Sequence, residues 1–515
     1  MIKQKTVKDL LDRFKKELKP LCLPKNNIAI TGASSNSKKI SKGFLFFALR
    51  GDNFHGAQFA QDAMDKGART FIVEEPCPKK FKKALKKLSG NEQISILSAK
   101  DPANSISKIS SWVYDYPSNA IKIIAVTGTN GKTTTTHILH SILKAAGKKT
   151  GILGTINHCI GTRIIPASLT TPQADEIQHL LHEMTASGIT HCVMEVSSHA
   201  LALGRVKDIE FTGAVFTNLT QDHLDHHKTM QRYYKTKASL FTKLLAQRKA
   251  QTFASVNLDD KWARQLFNEI KPIRSIKKSG YSIFALNSPL RAIRISQDSH
   301  KTGLRILANN KTIINIDFKL PGLFNIYNAL AAMSCAMDLG IPVSRIKKGI
   351  ERTAHVPGRL ERVPNDSNLN VWIDYAHTPD ALQNSLLTLK GIKRSGRLTA
   401  IIGCGGNRDK AKRPAMGRIA AQLADLAVFT SDNPRNESPR AITDQMKAGA
   451  LRSGNTNFKI ILDRAKAIKR VLADAQRNDT ILIAGKGHEI TQIMKNKAIP
   501  HDDKKVCLAC LRKAS

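Results

Sequence analysis

The stretch that most restricts what this chain can fold into is Val126-Thr127-Gly128-Thr129-Asn130-Gly131-Lys132-Thr133-Thr134. The apolar run Ile121–Val126 leads into it and predicts a buried strand. After it, Ile138, Leu139, Ile142 and Leu143 recur at helical spacing until Gly147 ends the pattern. A glycine turn joining a buried strand to a helix, closed by a lysine and hydroxyls, predicts a cradle for phosphates. Loop amides and the positive helix end face the anion, Lys132 bridges phosphate oxygens, and a threonine hydroxyl holds Mg²⁺. The first glycine of the general phosphate-loop pattern would fall at Val126, so the motif alone leaves open an ordinary glycine turn beside a lysine.

At 515 residues the chain is long enough for about three domains with full cores. No run approaches the roughly 20 apolar residues of a membrane span, and the lysine-rich first twenty residues lack the apolar segment of a secretory signal. The cysteines are scattered, with Cys507 and Cys510 as a lone CxxC. One helical turn accounts for that spacing more simply than a metal site, and a reduced, cytoplasmic protein fits best. Lys and Arg number 81 against 41 Asp and Glu, a net +40 that raises nucleic-acid binding as a hypothesis. The excess is diffuse, however, and aromatics are only 5%, which is poor for base stacking. An anionic substrate or a generally basic proteome explains the charge with fewer assumptions. No nucleic-acid partner and no membrane insertion are expected.

Residues 28–73 alternate short apolar runs (Ile28–Ile30, Phe44–Leu49, Thr70–Val73) with turns and a helical stretch ending at Gly67, the pattern of a small α/β unit. Lys79–Lys87 predicts a basic surface helix, and Pro117-Ser118-Asn119 a first linker. From Ile121 the pattern strand, loop, helix repeats, as in a parallel sheet wrapped by helices. Thr190–Val196 ends in Glu195-Val196-Ser197-Ser198-His199, and Gly213–Thr217 runs into Asn218–Asp225. Acidic and imidazole groups at strand C-termini sit where open α/β sheets bind ligands, although a capping Asp or a satisfied histidine is commoner for any one of them.

Residues 256–320 read as strand-rich and irregular, and Leu320–Asn328 opens a long alanine-rich helix. A second break falls near His355–Arg359, after which the α/β rhythm restarts. Val371–Ile373 runs into Asp374–Pro379, Leu398–Ile402 into Gly403–Asp409, Leu426–Thr430 into Ser431–Arg435, and Thr480–Ala484 into Gly485–Glu489. Gly403-x-Gly405 is not a dinucleotide fingerprint, because Arg408 stands in the third glycine's place.

Gly128–Thr134, Thr170-Thr171-Pro172, Glu195–Leu201, Asn218–Asp225, Pro357-Gly358-Arg359, Asp374–Pro379, Asp432–Arg435 and Gly485–Glu489 occur in an order and at separations that resemble the Mur ligase family over nearly the whole chain. The resemblance implies an α/β protein of three domains. These are a small N-terminal α/β UDP-binding domain over 1–118, a central ATP-binding domain of P-loop type with a parallel sheet over 119–357, and a C-terminal, amino-acid-binding Rossmann-like domain over 358–515. It further implies an ATP-dependent amide ligase of cytoplasmic peptidoglycan precursor synthesis, with a monomer expected. In that chemistry ATP phosphorylates the D-glutamyl γ-carboxylate of UDP-MurNAc-L-Ala-D-Glu, and the amine of the incoming amino acid attacks the acyl phosphate. Positioning and charge neutralisation do most of this work.

By the same resemblance, Lys132 contacts the transferred phosphoryl group, Thr133 and Glu195 hold Mg²⁺, and His223 supports a second metal position. Lys237, within Tyr234–Phe241, is implied to carry a carbamate that ligates metal, since a free cation there would be repelled. Gly128, Thr129, Asn130, Gly131 and Thr134 complete the ATP cradle, with Asn325, Asn328, Arg359 and Asp374 holding ATP as the domains close. Ser37, Thr170, Thr171, Ser197 and Arg205 match positions that hold the muramoyl-peptide. Arg408, Asp432, Asn433, Pro434, Arg435, Gly485 and Glu489 match those that hold the amino acid, and Asp-Asn-Pro-Arg resembles the meso-diaminopimelate version. Chemistry agrees at Arg435: a second carboxylate asks for a planar, permanent cation, Pro434 stiffens the turn, and Glu489 suits the distal ammonium.

Three positions depart from the pattern. Asn36-Ser37-Lys38 stands for the usual Asp-Ser-Arg, Leu203 for a contacting Gln of some members, and Thr236 for the usual Ala. Two other readings remain: a ligase of the same architecture, such as a folylpolyglutamate synthase or another Mur step, and a basic nucleic-acid-binding protein with a phosphate loop.

Overall fold

Strands buried along all or nearly all of their length, such as Lys122–Thr127 and Leu398–Ile402, demand cover on both faces, and helices supply it. The computed structural model describes residues 5–51, 55–75, 93–248, 250–297, 301–309, 311–393, 395–495 and 497–512; the helix expected over Lys79–Lys87 lies outside them. The chain forms two compact units, one of residues 1–125, 148–213 and 239–252, the other of residues 126–147, 214–238 and 253–515.

The first unit begins with a five-stranded sheet in the order Leu18–Cys22, Ser95–Ala99, Thr70–Glu74, Phe44–Ala48, Gly32–Ser34, parallel except for its first strand. Successive residues of one strand serve opposite cores. Leu45 and Phe47 pack with Ile106, Ile109 and Trp112 of helix Pro102–Val113, while Phe46 and Ala48 pack with Ala60 and Ala63 on the other face. Burying each such phenylalanine stabilises the unit by roughly 1.5–3 kcal/mol. Asp101 caps the helix through the Asn104 amide, with Pro102 in the first turn where its missing N–H costs nothing. The expected linker Pro117-Ser118-Asn119 is instead one 3₁₀ turn with Pro117 and Ser118 buried. Tyr114, anchored in the core just before it, leaves the chain little freedom there. Beyond it, Arg163–Pro166, Asn157–Ile160 and Thr150–Leu153 form an antiparallel ladder, and His191–Glu195 pairs with Thr150–Leu153 in parallel.

The second unit holds the phosphate loop and the C-terminal sheet. Helix Lys132–Ala145 packs against helices Leu323–Asp338 and Val343–Arg352. Gly349 permits that approach, since a Cβ there would lie 2.3 Å from the Ile142 Cα. Strands Leu290–Gln297, Thr302–Ala308 and Thr312–Phe318 run antiparallel. The central sheet is therefore not wholly parallel as expected, because connections this short cannot make a parallel crossover. The C-terminal sheet has the order Glu361–Arg362, Asn370–Asp374, Thr480–Ala484, Leu398–Ile402, Leu426–Phe429, Phe458–Ile460 and is parallel except for its first strand. Its central strands bury every residue, and their C-terminal ends deliver the predicted polar segments to one edge. Cys507 and Cys510 lie on helix Asp503–Leu511, as their spacing suggested. Among the described residues, no helix is long and apolar enough to cross a membrane.

Candidate active site

The phosphate loop takes its shape from two glycines. Gly128 and Gly131 have φ of +145° and +86°, and a Cβ on either would strike the Thr217 hydroxyl or the Asn328 amide oxygen at 1.9 and 2.3 Å. The segment after strand Phe211–Phe216 clamps the loop. The Thr129 amide donates to the Asn218 carbonyl and the Asn130 amide to its side-chain oxygen, both at 2.9 Å, while the Thr217 hydroxyl donates to the Asn130 carbonyl at 2.6 Å. These loop amides are thus spent on Asn218, contrary to the expectation that they face the anion. The start of helix Lys132–Ala145 is better placed for one, since the amides of a helix's first turn have no intrahelical acceptors.

Two lysines converge on one oxygen. Lys132 Nζ donates to the Gly128 and Thr129 carbonyls, each at 2.9 Å, and the buried Lys237 Nζ donates to the same Gly128 carbonyl at 2.8 Å. Burial, and then the charge of Lys132, push the Lys237 amine well below the usual lysine range, while Asp222 pulls it back up. Asp222 accepts the His223 amide at 2.9 Å and faces the His223 and His377 imidazoles at 3.3 and 4.0 Å. Arg359 donates to the Thr133 hydroxyl at 2.9 Å and lies over the Tyr375 ring, 4.4 Å from its centroid. Asn328 donates to Asn325 at 3.1 Å, which in turn donates to the Pro321 carbonyl at 2.7 Å. The Asn130 side chain donates to Asp380 at 2.8 Å. Buried Asp374 accepts the Leu360 and Ala376 amides and the Ser385 hydroxyl; burial raises its carboxyl and Arg359 opposes this. All the predicted ATP residues therefore lie in one connected neighbourhood of the second unit.

In the first unit, Glu195 ends strand His191–Glu195 with both carboxylate oxygens held by Thr155, one by its amide and one by its hydroxyl, each at 2.9 Å. Thr155, its own proton given to Glu195, accepts the Thr170 hydroxyl at 3.2 Å. The Thr171 hydroxyl donates to the Glu195 carbonyl at 2.8 Å and accepts the Ser197 amide at 3.0 Å, and Arg205 donates to the Thr171 carbonyl at 3.1 Å. Among the described residues the buried Arg205 Nε has no hydrogen-bond partner, a donor open to a ligand. Four of the predicted muramoyl-peptide residues thus meet at Glu195. Ser37 is not in that network: it opens a short 3₁₀ turn capped by Asn36.

At the C-terminal sheet edge, Arg435 adopts φ +51°, a left-handed conformation costing a side-chain-bearing residue roughly 1–2 kcal/mol. Main-chain bonds enforce it, from Arg435 N to the Ile493 carbonyl at 3.0 Å and from Lys495 N to the Arg435 carbonyl at 2.7 Å. Its guanidinium donates to the Gly406 carbonyl at 2.8 Å. Burial, and then the charge of Arg408, press its pKa down. Among the described residues neither arginine has a carboxylate within ion-pair distance, although carboxylates surround the site. Glu489 accepts the Asn433 amide and the Lys486 ammonium, each at 2.8 Å. Gly485, at φ +111°, lets Asp432 approach: a Cβ there would sit 2.7 Å from Asp432 Oδ2. Fully buried Arg413 braces the rim by donating twice to Glu437, at 2.9 and 3.0 Å, and to the Gly405 carbonyl at 3.2 Å.

Four contributors had no predicted role: Thr155, Asn218, Tyr375 and Lys486. Each follows a strand C-terminus, which is the signal that finds them. Lys486, between two glycines and wholly buried, is the most informative, since a buried ammonium requires the anionic partner it has in Glu489.

A glycine-shaped loop before a helix, a separate carboxylate-centred network and two neighbouring arginines at the edge of a second sheet form the constellation of one class, and the chain belongs to the Mur ligase family. Residues 29–104, 126–336 and 358–487 match, in order, the Mur ligase family catalytic domain, the Mur ligase middle domain and the Mur ligase glutamate ligase domain. Over 482 residues the chain is 40% identical to the UDP-N-acetylmuramoyl-L-alanyl-D-glutamate–2,6-diaminopimelate ligase of Clostridium tetani (strain Massachusetts / E88), covering 93% of this chain and 94% of that one. A solved structure of a ligase of the same name is 30% identical, with a TM-score of 0.62 over 94% of this chain and 95% of its own. The folylpolyglutamate synthase of Mycobacterium tuberculosis, solved with ADP and AMPPCP, shares the fold at 17% identity, with a TM-score of 0.60 over 74% of this chain and 92% of its own.

Proposed function

We propose that this protein is an ATP-dependent ligase that adds meso-diaminopimelate to UDP-MurNAc-L-Ala-D-Glu. The observation that carries the acceptor assignment is the Arg408–Arg435 pair, two adjacent cations with no carboxylate partner among the described residues. A diaminopimelate carboxylate supplies that partner, and L-lysine does not. Full-length similarity to ligases of that name supports the same reading.

In this reading Lys132 neutralises the transferred phosphoryl group, and the Gly131–Thr134 helix start receives the phosphate chain. Arg359, Asn325, Asn328 and Asp374 hold the nucleotide. Thr170, Thr171, Ser197 and Arg205 hold the muramoyl-peptide; Asp432, Asn433, Pro434, Gly485 and Glu489 complete the amino-acid site. Glu489, already neutralised by Lys486, orients the distal ammonium rather than meeting it as an unpaired charge. The domain limits 1–118, 119–357 and 358–515 are proposed on the strength of the three family segments.

Magnesium fits the donor set. Among the described residues no three His, Cys, Asp or Glu side chains converge on one point, and Mg²⁺ needs only one or two carboxylates beside phosphate oxygens and water. When bound it neutralises charge developing on the phosphates. Thr133, Glu195 and His223 are the proposed ligands. Lys237 is proposed to act as a carbamate: burial and the charge of Lys132 favour its neutral amine, which adds CO₂ and loses a proton, leaving an anionic ligand where a cation would be repelled. A monomer acting in the cytoplasm is the simplest state for a chain with a full set of site residues.

The test is ADP release by purified protein given UDP-MurNAc-L-Ala-D-Glu and each candidate amino acid in turn, with the product identified by mass. Turnover with meso-diaminopimelate and little with L-lysine is expected. Equal use of both would overturn the acceptor assignment, and turnover with a folate in place of the muramoyl-peptide would overturn the substrate class.

A further inference from the structure

Arg464 is wholly buried, opens helix Arg464–Ala473, and lies outside every site segment above. Its guanidinium meets Asp503, equally buried, through two parallel bonds, Nε to Oδ1 at 2.8 Å and Nη2 to Oδ2 at 2.7 Å. That geometry leaves donors on the far side, and both reach strand ends. Nη2 donates to the Ala484 carbonyl at 2.9 Å and Nη1 to the Ser431 carbonyl at 3.5 Å. Ala484 and Ser431 are the residues immediately before Gly485 and Asp432.

The circuit closes on the other side of the same segment. His501 Nε2 bonds Asp503 Oδ1 at 2.8 Å, and the His501 amide donates to the carbonyl of Ile490, which follows Glu489, at 3.0 Å. Gly485–Glu489 is therefore bracketed at both ends by one buried polar network that itself touches no ligand position. A buried ion pair is a weak source of stability, since desolvation offsets much of the Coulomb gain. What this one does is fix carbonyls whose neighbours carry Gly485 and Asp432.

We propose that Arg464, oriented by Asp503 and His501, is a positioning residue for the acceptor amino acid: it sets the spacing between the Asp432–Arg435 and Gly485–Glu489 segments. The inference rests on reading those segments as the diaminopimelate site. Displacing either by about 1 Å is enough to cost on the order of 100-fold in a preorganised site.

The test uses the full chain and two variants. In the Arg464→Met/Asp503→Leu double variant, apolar side chains of similar volume replace the pair. Arg464→Lys keeps a charge opposite Asp503 but cannot serve Asp503 and both carbonyls at once. KM is measured for meso-diaminopimelate, ATP and UDP-MurNAc-L-Ala-D-Glu, alongside the thermal midpoint. A rise of about ten-fold or more in the diaminopimelate KM is expected, with the other two KM values unchanged within about two-fold and a smaller rise for Arg464→Lys. A folded variant with the wild-type diaminopimelate KM, parallel changes in all three KM values, or failure of both variants to fold would each overturn the proposal in favour of a purely structural role. Arg435→Ala is run beside them. If it too leaves the diaminopimelate KM unchanged, the acceptor-site reading fails; if it alone raises that KM, only the Arg464 inference fails.

Discussion

Around Gly128–Thr134 the chain offers an anion a helix start and the Lys132 ammonium, whereas around Asp432–Arg435 it offers the Arg435 guanidinium, anchored on a loop carbonyl, with Arg408 beside it. The first arrangement suits phosphate, through charge and close backbone approach. The second suits a planar carboxylate at a set distance and angle, and in the proposed function that is what discriminates between amino acids. The proposed function thus draws on a helix start and lysine chemistry for phosphate transfer and on arginine side chains for acceptor selectivity.

That contrast makes unequal predictions. Lys132→Ala removes a point charge from the transferred group and should lower kcat by on the order of 10³-fold or more while the circular dichroism spectrum and melting temperature stay near wild type. Near-normal turnover at saturating ATP would end the phosphate-loop assignment. Lys237→Ala should lose roughly 100-fold or more in kcat, and short carboxylic acids should restore part of it by standing in for the carbamate. A fully active Lys237→Ala enzyme would remove Lys237 from the mechanism. At the acceptor end, Arg435→Ala should raise the meso-diaminopimelate KM by about 100-fold with smaller effect on kcat, and narrow the preference over L-lysine. A variant as selective as wild type would show that the discrimination lies elsewhere.

Two smaller effects separate backbone from side chain further. Gly131→Ala combines a φ of +86° with a Cβ 2.3 Å from Asn328 Oδ1, and should destabilise the fold by about 1–3 kcal/mol by thermal melting as well as weaken ATP binding. An unchanged melting temperature would mean that the loop relaxes freely. In acid, the Arg464–Asp503 pair should fail gradually. Arg464 holds the Asp503 carboxyl well below the usual carboxylate range against burial that acts to raise it. Its folded pKa is depressed, so its contribution is complete above the unfolded value of about 3.9 and is lost as pH falls from there toward the folded one. Denaturation midpoints measured from pH 5 down to pH 2 should fall less steeply in Asp503→Asn than in wild type.

Much of this was legible in the sequence, for identifiable reasons. Continuous apolar runs gave Leu398–Ile402 and Thr480–Ala484 to the residue, and the Gly147 stop marked the end of helix Lys132–Ala145, whose last turn closes at Ala146. Strand ends carry the candidate site residues because open α/β sheets present their loops there. What escaped was whatever depends on partners distant in sequence. The Thr129 and Asn130 amides looked available until Asn218, about 90 residues away, took them up. Thr155 gave no sign that it would hold Glu195, and Lys486 looked like any surface lysine until burial forced a partner on it. Pro117-Ser118-Asn119 had the composition of a linker, but the aromatic anchors before it decided otherwise.

The Asn130 bond to Asp380 and the Arg359 bond to Thr133 have a thermodynamic consequence. Both fasten the phosphate loop to residues of the C-terminal segment, so a nucleotide that claims either partner shifts a balance the acceptor site shares. Such coupling is reciprocal: whatever factor the nucleotide imposes on acceptor affinity, the acceptor returns on nucleotide affinity. One hydrogen bond to a charged group, about 1.5–3 kcal/mol, corresponds to more than ten-fold in either direction, enough for the three substrates to bind in a preferred order.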